Sequence, residues 1–317
     1  KASLQKFVTL LNGREWYGMD KNKTLIWTAT AVEIIEETHT QSVNVDQNET
    51  DKKMNELDNY KNLLNIITGD ELEMVGINAE SLDHDEWLRI RTQGIGGSDV
   101  GSIMGVDGAF GSPLSVYYSK IGEPEPNEGS EPMRWGSILE KTIRDEYAER
   151  SGNRVELVDA TLFDPSQPHR LANTDGFVCE NGEWGILEIK NVGFSSHEWS
   201  GEKVPQKYFC QVQWYMLVTG LKFAKVVALI NGQTMVTRHV DFDQGFADDM
   251  IDACDSFWFD NVQRSDIPHA SGNPRCRETL LKLYPPTDDS IIELDEHQTE
   301  LDLWLEYSKS EKEFKKL

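Results

Sequence analysis

Between Arg170 and Asn191 the chain reads RLANTDGFVCENGEWGILEIKN, and this stretch constrains the fold more than any other. Asp175 sits in a Thr-Asp-Gly turn, and a short apolar strand, Ile186-Leu187-Glu188-Ile189-Lys190, follows it. Side chains of a strand alternate faces, so Glu188 and Lys190 project to one side while Leu187 and Ile189 pack on the other. Two carboxylates that can converge beside a lysine suit a divalent-metal phosphodiesterase. The carboxylates hold a hard cation, the cation lowers the pKa of a bound water, and the lysine orients the nucleophile or offsets charge at the phosphate. Taken alone, the same residues also describe a β-hairpin with a surface salt bridge.

The whole chain bounds this reading. Its 317 residues allow one large domain or two of ordinary size. With 38% hydrophobic and 27% charged residues, the composition is that of a soluble globular protein. No run of about 18 apolar residues exists, so no membrane partner or span is expected. The opening KASLQKFVTLLNG lacks the apolar core of a signal peptide. Cys179, Cys210, Cys254 and Cys276 form no CxxC pair, which argues against zinc or iron–sulfur sites and for reduced thiols in the cytoplasm. The net charge of −24 argues against indiscriminate coating of DNA, since non-specific affinity comes from neutralising phosphates. Any nucleic acid must meet a local basic channel, partly made by bound metal.

Three regions follow from patterning: a small appended module with a linker (1–80), a main α/β domain (81–268) and a C-terminal extension (269–317). In the first, Ser3–Leu11 reads as a short helix, Thr24–Ile35 as a strand, and His39–Asn59 as a polar linker. Tyr60–Ile67 and Asp70–Val75 look helical. Asp83–Glu86 resembles a capping box before Trp87, Leu88 and Ile90. Arg91-Thr-Gln-Gly-Ile-Gly-Gly-Ser98-Asp99 then leads into a helix over Val100–Met104. Glycines before a serine leave backbone N–H groups free for an anion near Arg91, or they form an ordinary glycine turn with a capped helix.

Trp135-Gly136-x-x-x-Glu140 opens a long helix through Arg150, with Ile138, Leu139, Thr142, Ile143 and Tyr147 on its buried face and Gly152 ending it. Glu140 lies close to that apolar face, as a rim residue or a metal-site carboxylate. Val155–Phe163 reads as a strand. A second helix covers Pro205–Thr219 and places Gln211, Gln213 and Tyr215 among apolar neighbours, where unpaired amides cost energy. Strands over Lys222–Ile230 and Met235–Val240 and a helix over Phe246–Gln263 complete an α/β core with a mixed sheet flanked by helices. A charged amphipathic helix, Glu296–Leu317, closes the chain. The absent initiator Met and that ending lead us to expect a piece of a longer protein.

GIGGSD, WG-x-x-x-E, the T-D-G turn, E-I-K and QVQWYM occur here in the order found in YqaJ-type viral recombinases. From about Ser81 to Pro268 the chain resembles that family, which belongs with the lambda exonuclease group of the PD-(D/E)XK nuclease superfamily. The resemblance implies a restriction-endonuclease-like core with Glu140, Asp175, Glu188 and Lys190 as its catalytic set. Glu140, Asp175, Glu188 and the backbone carbonyl of Ile189 would be the metal ligands. It implies that Gln211 and Gln213, with Tyr215, lie on the family's Gln-bearing helix and belong to the catalytic residues too. Arg91 and Ser98 match a pocket for a terminal 5′ phosphate, and Asn173 stands where the family carries a phosphate-binding serine. Gly96 replaces a hydroxyl of that pocket, and no second arginine stands between Asp99 and Gly129. Implied with the family are Mg²⁺ (Mn²⁺ substituting), 5′-to-3′ digestion of duplex DNA ends, a homo-oligomer such as a trimeric ring, and a single-strand annealing protein as partner. The alternatives are an endonuclease or flap or single-strand nuclease of the same superfamily, and a catalytically silent DNA-binding scaffold.

Overall fold

A computed structural model describes residues 16–19, 25–29, 61–69, 73–75, 90–122, 130–193 and 196–284, with 299, 302–303, 306–307 and 309 further on. The chain divides into two compact units, Lys1–Thr279 and Leu280–Leu317. Among the described residues no helix is long and apolar enough to cross a membrane.

The first unit is organised by a five-stranded sheet in the order β10-β9-β8-β7-β4. Its strands are β4 (Arg154–Glu156), β7 (Gly176–Glu180), β8 (Glu183–Val192), β9 (Phe223–Ile230) and β10 (Thr234–Asp241). β8 pairs with β9 in parallel and with β7 antiparallel; β10–β9 and β7–β4 are antiparallel as well, so the sheet is mixed. The β7–β8 hairpin turns through Asn181 (φ 54°) and Gly182 (φ 88°), the Asn-Gly pair that a two-residue turn with left-handed backbone selects. The parallel β8–β9 pair requires a crossover, supplied by helix α5 (Gln206–Thr219).

Helices cover both faces. On one side Ile143 and Tyr147 of helix α4 (Glu131–Ser151) pack against Val178, Leu187, Ile189, Phe223 and Val227. On the other, α5 is buried nearly all round, with Val212, Trp214 and Met216 in the main core cluster. That explains why apolar residues recur around nearly its whole circumference. Helix α2 (Gly97–Ile103) and helix α3 (Pro113–Lys120) precede α4, and helix α6 (Gln244–Ser256) follows β10. This is the expected α/β architecture, a central mixed sheet flanked by helices.

Several local expectations change. Val155–Phe163 is two strands, not one: Arg154–Glu156 joins the main sheet, while β5 (Thr161–Phe163) pairs with β3 (Glu73–Val75) and β6 (Leu171–Ala172) in another. A tight turn between them, with Ala160 N–H donating to Val158 O at 2.9 Å, breaks the run. Within Asp70–Val75, residues Glu73–Val75 are therefore strand, because a pairing partner distant in sequence overrides the local helical pattern. Residues 61–68 form helix α1, as expected, and its Leu64 and Ile67 belong to the main core cluster. In Thr24–Ile35, β2 (Leu25–Ala29) pairs with β1 (Trp16–Met19).

α2 begins at Gly97, earlier than Val100. α4 begins at Glu131, where Met133 N–H donates to Ser130 Oγ, and ends on Gly152 in left-handed backbone. Only Ile143 and Tyr147 of α4 are buried; Ile138 is 47% exposed, because the helix extends further than the surface it packs on. The Phe246–Gln263 helix starts at Gln244 and passes into a π-helical stretch, Phe257–Gln263. The last helix is represented by 299, 302–303, 306–307 and 309, which are helical. Ser3–Leu11, His39–Asn59 and Asp83–Glu86 with Trp87 and Leu88 lie outside the described residues.

Candidate active site

Strand β8 runs buried from Gly185 to Ile189, and its alternation decides the site. Leu187 and Ile189 enter the layer under α4, so Glu188 and Lys190 face α5. Glu188 is wholly buried. Its Oε1 accepts hydrogen bonds from the Lys190 ammonium and, at 2.7 Å, from Gln211 Nε2 of α5. Gln211 Nε2 also lies 3.0 Å from the Tyr215 hydroxyl, one helical turn on. The register pairs Gly176 with Leu187, so Asp175, just before it, comes opposite Glu188. Asp175 Oδ2 accepts the Ile189 N–H at 2.7 Å. From α4, Arg144 Nη1 donates to the Asp175 carbonyl at 2.7 Å and to Glu140 Oε1 at 3.0 Å, tying Glu140 to the same turn.

These acids are crowded in a poorly solvated place. Burial, and then the charge of Asp175, pushes the Glu188 carboxyl up to about 8. The same two causes push Glu140 up to about 7, against the pull of Arg144. Burial also raises Asp175, although Lys190, the Ile189 N–H and Arg144 oppose it. Burial pulls Lys190 down, but Glu188 and Asp175 outweigh it and hold the ammonium firmly protonated. The Tyr215 hydroxyl is raised by burial and by Glu188.

The cluster is short of positive charge. Glu188 Oε2 and Gln211 Oε1 are buried with no hydrogen-bond partner, a state that polar atoms rarely keep unless something binds there. An all-oxygen donor set with an orphaned carboxylate oxygen fits a hard divalent cation. The acids do not, however, converge into a ready ligand set: among the described residues no three His, Cys, Asp or Glu side chains do so.

Beside this cluster, and sharing Gln211 and Tyr215 with it, lies a pocket of about 190 Å³ lined by Arg91, Gly96, Ser98, Lys120 and Asn173. Arg91 Nη2 donates to Ser98 Oγ at 3.1 Å. Asp99 Oδ2 accepts the Gly96 N–H at 2.9 Å and pairs with Lys120 at 2.7 Å. Lys120 Nζ donates in turn to the Arg91 carbonyl at 2.8 Å. Burial would raise the Asp99 carboxyl, but Lys120 and Arg91 hold it below its usual value. The glycine turn is fixed to the chain before β6: Ile95 N–H donates to His169 O, Leu171 N–H to Ile95 O, and Trp214 Nε1 to Leu171 O at 3.0 Å.

The structure thus brings Glu140, Asp175, Glu188, Lys190, Gln211 and Tyr215 into one cluster and Arg91 and Ser98 into the adjoining pocket. Asn173 lines that pocket while its Nδ2 donates to Thr161 Oγ1 at 2.7 Å. Ile189 enters through its N–H. Gln213 is elsewhere: its Nε2 donates to Asp241 O and its Oε1 accepts the Asp243 N–H, so it ties the end of β10 to α6. Reading the sequence offered Arg144 as a partner of Glu140, which it is, but missed its bond to the Asp175 carbonyl, and it missed Lys120 and Tyr208, whose ring lies 5.1 Å from Lys190 Nζ. Lys120 stands three residues after the buried Tyr117 on the apolar face of α3, and that odd place for a charge was its signal.

Residues 86–222 match the family model described as the YqaJ-like viral recombinase domain. A Bacillus subtilis (strain 168) relative, the uncharacterized protein YqaJ, is 33% identical over 228 residues, covering 71% of this chain and 70% of that protein. The chain belongs to the YqaJ-like viral recombinase domain family. The matched span contains both the acid–lysine cluster and the pocket beside it. Similar solved structures include an alkaline exonuclease from Laribacter hongkongensis (21% identity, 57% of this chain and 93% of that one, TM-score 0.48). A phage related exonuclease from Haemophilus somnus 129PT is another (12% identity, 55% and 96%, TM-score 0.44).

Proposed function

We propose that this protein is a metal-dependent DNA exonuclease that digests one strand of a duplex from its 5′ end. The observation that carries the reading is the buried Glu188, gripped by Lys190 and Gln211 opposite Asp175, in a chain of a viral recombinase family. Asp175, Glu188 and Glu140, with the Ile189 carbonyl, would hold Mg²⁺, and Mn²⁺ would substitute. When bound, the ion supplies positive charge at the phosphate and a water of lowered pKa.

The chain's own groups do the rest. Lys190, kept protonated by its two carboxylates, presents a fixed positive charge where negative charge develops on the phosphodiester. Gln211 fixes Glu188 and thereby Lys190. Tyr215 keeps its proton and supports Gln211. Arg91 and Ser98, with Lys120 behind them, form a small cationic pocket suited to a terminal phosphate. Because that pocket shares Gln211 and Tyr215 with the acids, a phosphate held in it sets a strand end beside the reacting bond. A chain of net charge −24 needs such local capture, and a bound cation would offset the surplus of carboxylates in the cluster. In a cytoplasmic setting the partners are duplex DNA ends, further copies of the chain in a ring, and a single-strand annealing protein.

The test is digestion of linear duplex with and without a 5′ phosphate, beside a covalently closed circle, in Mg²⁺ and in EDTA. Degradation of the phosphorylated linear DNA alone, abolished by EDTA, is the expected result. Cutting of the closed circle would replace the exonuclease by an endonuclease; no cutting at all would leave a silent DNA-binding scaffold.

A further inference from the structure

The loop joining α2 to α3 holds one large apolar side chain in water. Phe110 is 50% exposed, yet its loop is pinned on both sides. Val106 N–H donates to Gly101 O at 3.0 Å, Ala109 N–H to Val106 O at 3.2 Å, and Gly111 N–H to Ser102 Oγ at 2.9 Å. Ala109 and Ser112 on either side are buried. A single exposed aromatic residue is ordinary. This one, however, ends a row. Its ring centroid is 5.8 Å from that of Tyr208, which is itself 5.7 Å from buried Trp199. The Tyr208 ring in turn lies 5.1 Å from Lys190 Nζ.

The charge beside the row is already satisfied. Lys207 Nζ stands 5.7 Å from the Phe110 ring and 5.1 Å from that of Tyr208, but it pairs with Glu198 at 2.9 Å. The patch therefore has no surplus cation with which to catch a phosphate. What it offers is a half-exposed aromatic ring on a pinned loop at the rim of the acid–lysine cluster, and the part of DNA that fits is a base. The two spans from Lys190 through Tyr208 place Phe110 within about 11 Å of the ammonium. At a rise of about 3.4 Å per base, that is no more than about three steps along a stacked strand.

We infer that Phe110 is a stacking platform for a nucleobase of the bound DNA, a few nucleotides from the phosphodiester beside Lys190. This rests on the DNA-degrading reading above and adds to it a contact that recognises a base rather than the backbone. It holds the strand by its π-face and so reads no sequence.

The experiment measures affinity for a fluorescently labelled, 5′-phosphorylated duplex in Ca²⁺, a hard cation expected to support binding without turnover. Phe110→Ala weakens binding by about 5- to 150-fold, the range that base–aromatic stacking spans. Phe110→Leu, which keeps the apolar bulk, falls in the same direction, and Phe110→Trp binds at least as tightly as the wild type. Walking one abasic nucleotide through the terminal positions of each strand finds a position where the wild type loses the same factor and Phe110→Leu loses nothing further. Wild-type affinity in Phe110→Leu, or no abasic position that erases the difference, would overturn the platform. Thermal unfolding checks each variant, and Phe110→Leu and Phe110→Trp decide the matter if Phe110→Ala is unfolded. A wild type that neither binds nor digests DNA overturns the parent reading. A wild type that digests DNA, with Phe110→Leu unchanged, overturns the platform alone.

Discussion

Gly97, the first residue of α2, lies directly on α5, and replacing it with alanine tests how the site is assembled. A Cβ at that position would lie 2.5 Å from Tyr215 Cε1, 2.9 Å from Tyr215 Cζ and 3.1 Å from Gln211 Cγ. Carbon atoms in good contact stand about 3.5–4.0 Å apart, so a shift of roughly 1 Å is forced. Tyr215 cannot swing away: it is buried in mid-helix and its hydroxyl is bonded to Gln211. The two helices must part, and overpacking of this kind costs about 1–3 kcal/mol. Gly136, within α4, is the control, because a Cβ there meets nothing within 4 Å. Alanine at 136 stabilises the helix by about 0.5–1 kcal/mol. The same chemical change therefore has opposite signs at the two positions. Urea unfolding followed by tryptophan fluorescence, with the slope held common, measures both. Because Tyr215 and Gln211 support Glu188, Gly97→Ala also slows DNA digestion under conditions where the variant is fully folded. Equal stability of Gly97→Ala and wild type, or loss of stability at both positions, would refute the argument.

Glu188→Gln keeps the side chain's shape and removes a charge that burial already disfavours. It abolishes digestion while the metal-free variant stays within about 2 kcal/mol of the wild type; a larger loss would make the Glu188–Lys190 pair a structural ion pair. Mg²⁺ at about 100 times its Kd stabilises the wild type by about 2.7 kcal/mol, and an equal shift in Glu188→Gln would exclude Glu188 as a ligand. Asp255 accepts two hydrogen bonds from Arg170, at 2.5 and 3.2 Å, and pairs with His169 at 2.9 Å. Burial would raise its carboxyl, but those bonds hold it below the usual value. A depressed folded pKa contributes stability that is present above about pH 4 and lost as the pH falls through the folded value. The gap between wild type and Asp255→Asn, about 1.5–3 kcal/mol at pH 7, therefore narrows below about pH 4 in urea titrations; a pH-independent gap would be the contrary result. Cys210 and Cys254 are buried, and burial pushes their thiols up, to about 11 for Cys210. Neither reacts with a thiol reagent at pH 8 until the protein is denatured, as peptide mapping of the labelled chain will show.

What was legible in the sequence is what depends on short-range geometry. The period of two in β8 separates Glu188 and Lys190 from Leu187 and Ile189, and the Thr-Asp-Gly turn marks Asp175 as the second acid that comes opposite them. On α5 the sequence reading keeps Gln213 with Gln211 and Tyr215, although the same kind of geometry separates the two glutamines. Residues two apart on a helix point about 200° apart, so Gln211 and Gln213 cannot share a face, whereas Gln211 and Tyr215 do. Gln213 accordingly meets Asp241 and Asp243, and Gln211 meets Glu188. What stayed hidden depends on partners remote in sequence. The β3–β5 pairing joins residues some ninety positions apart, and no local pattern encodes it. Ile138 belongs to an apolar stripe whose length is set by α4, but its burial depends on how far the underlying sheet extends.

The same strand explains why core and site are so hard to separate here. One face of β8 makes the packed layer under α4, and the other presents a buried acid to α5. A carboxylate there costs folding energy that its bonds to Lys190 and Gln211 offset in part and the surrounding apolar packing must cover for the rest. Substitutions in the layer between α4 and the sheet, at Leu187 of β8 or at Ile143 packed on it, therefore act on Glu188 through the backbone of β8. The sheet that stabilises the fold is also what keeps the acid, the lysine and the amide in place before any DNA arrives.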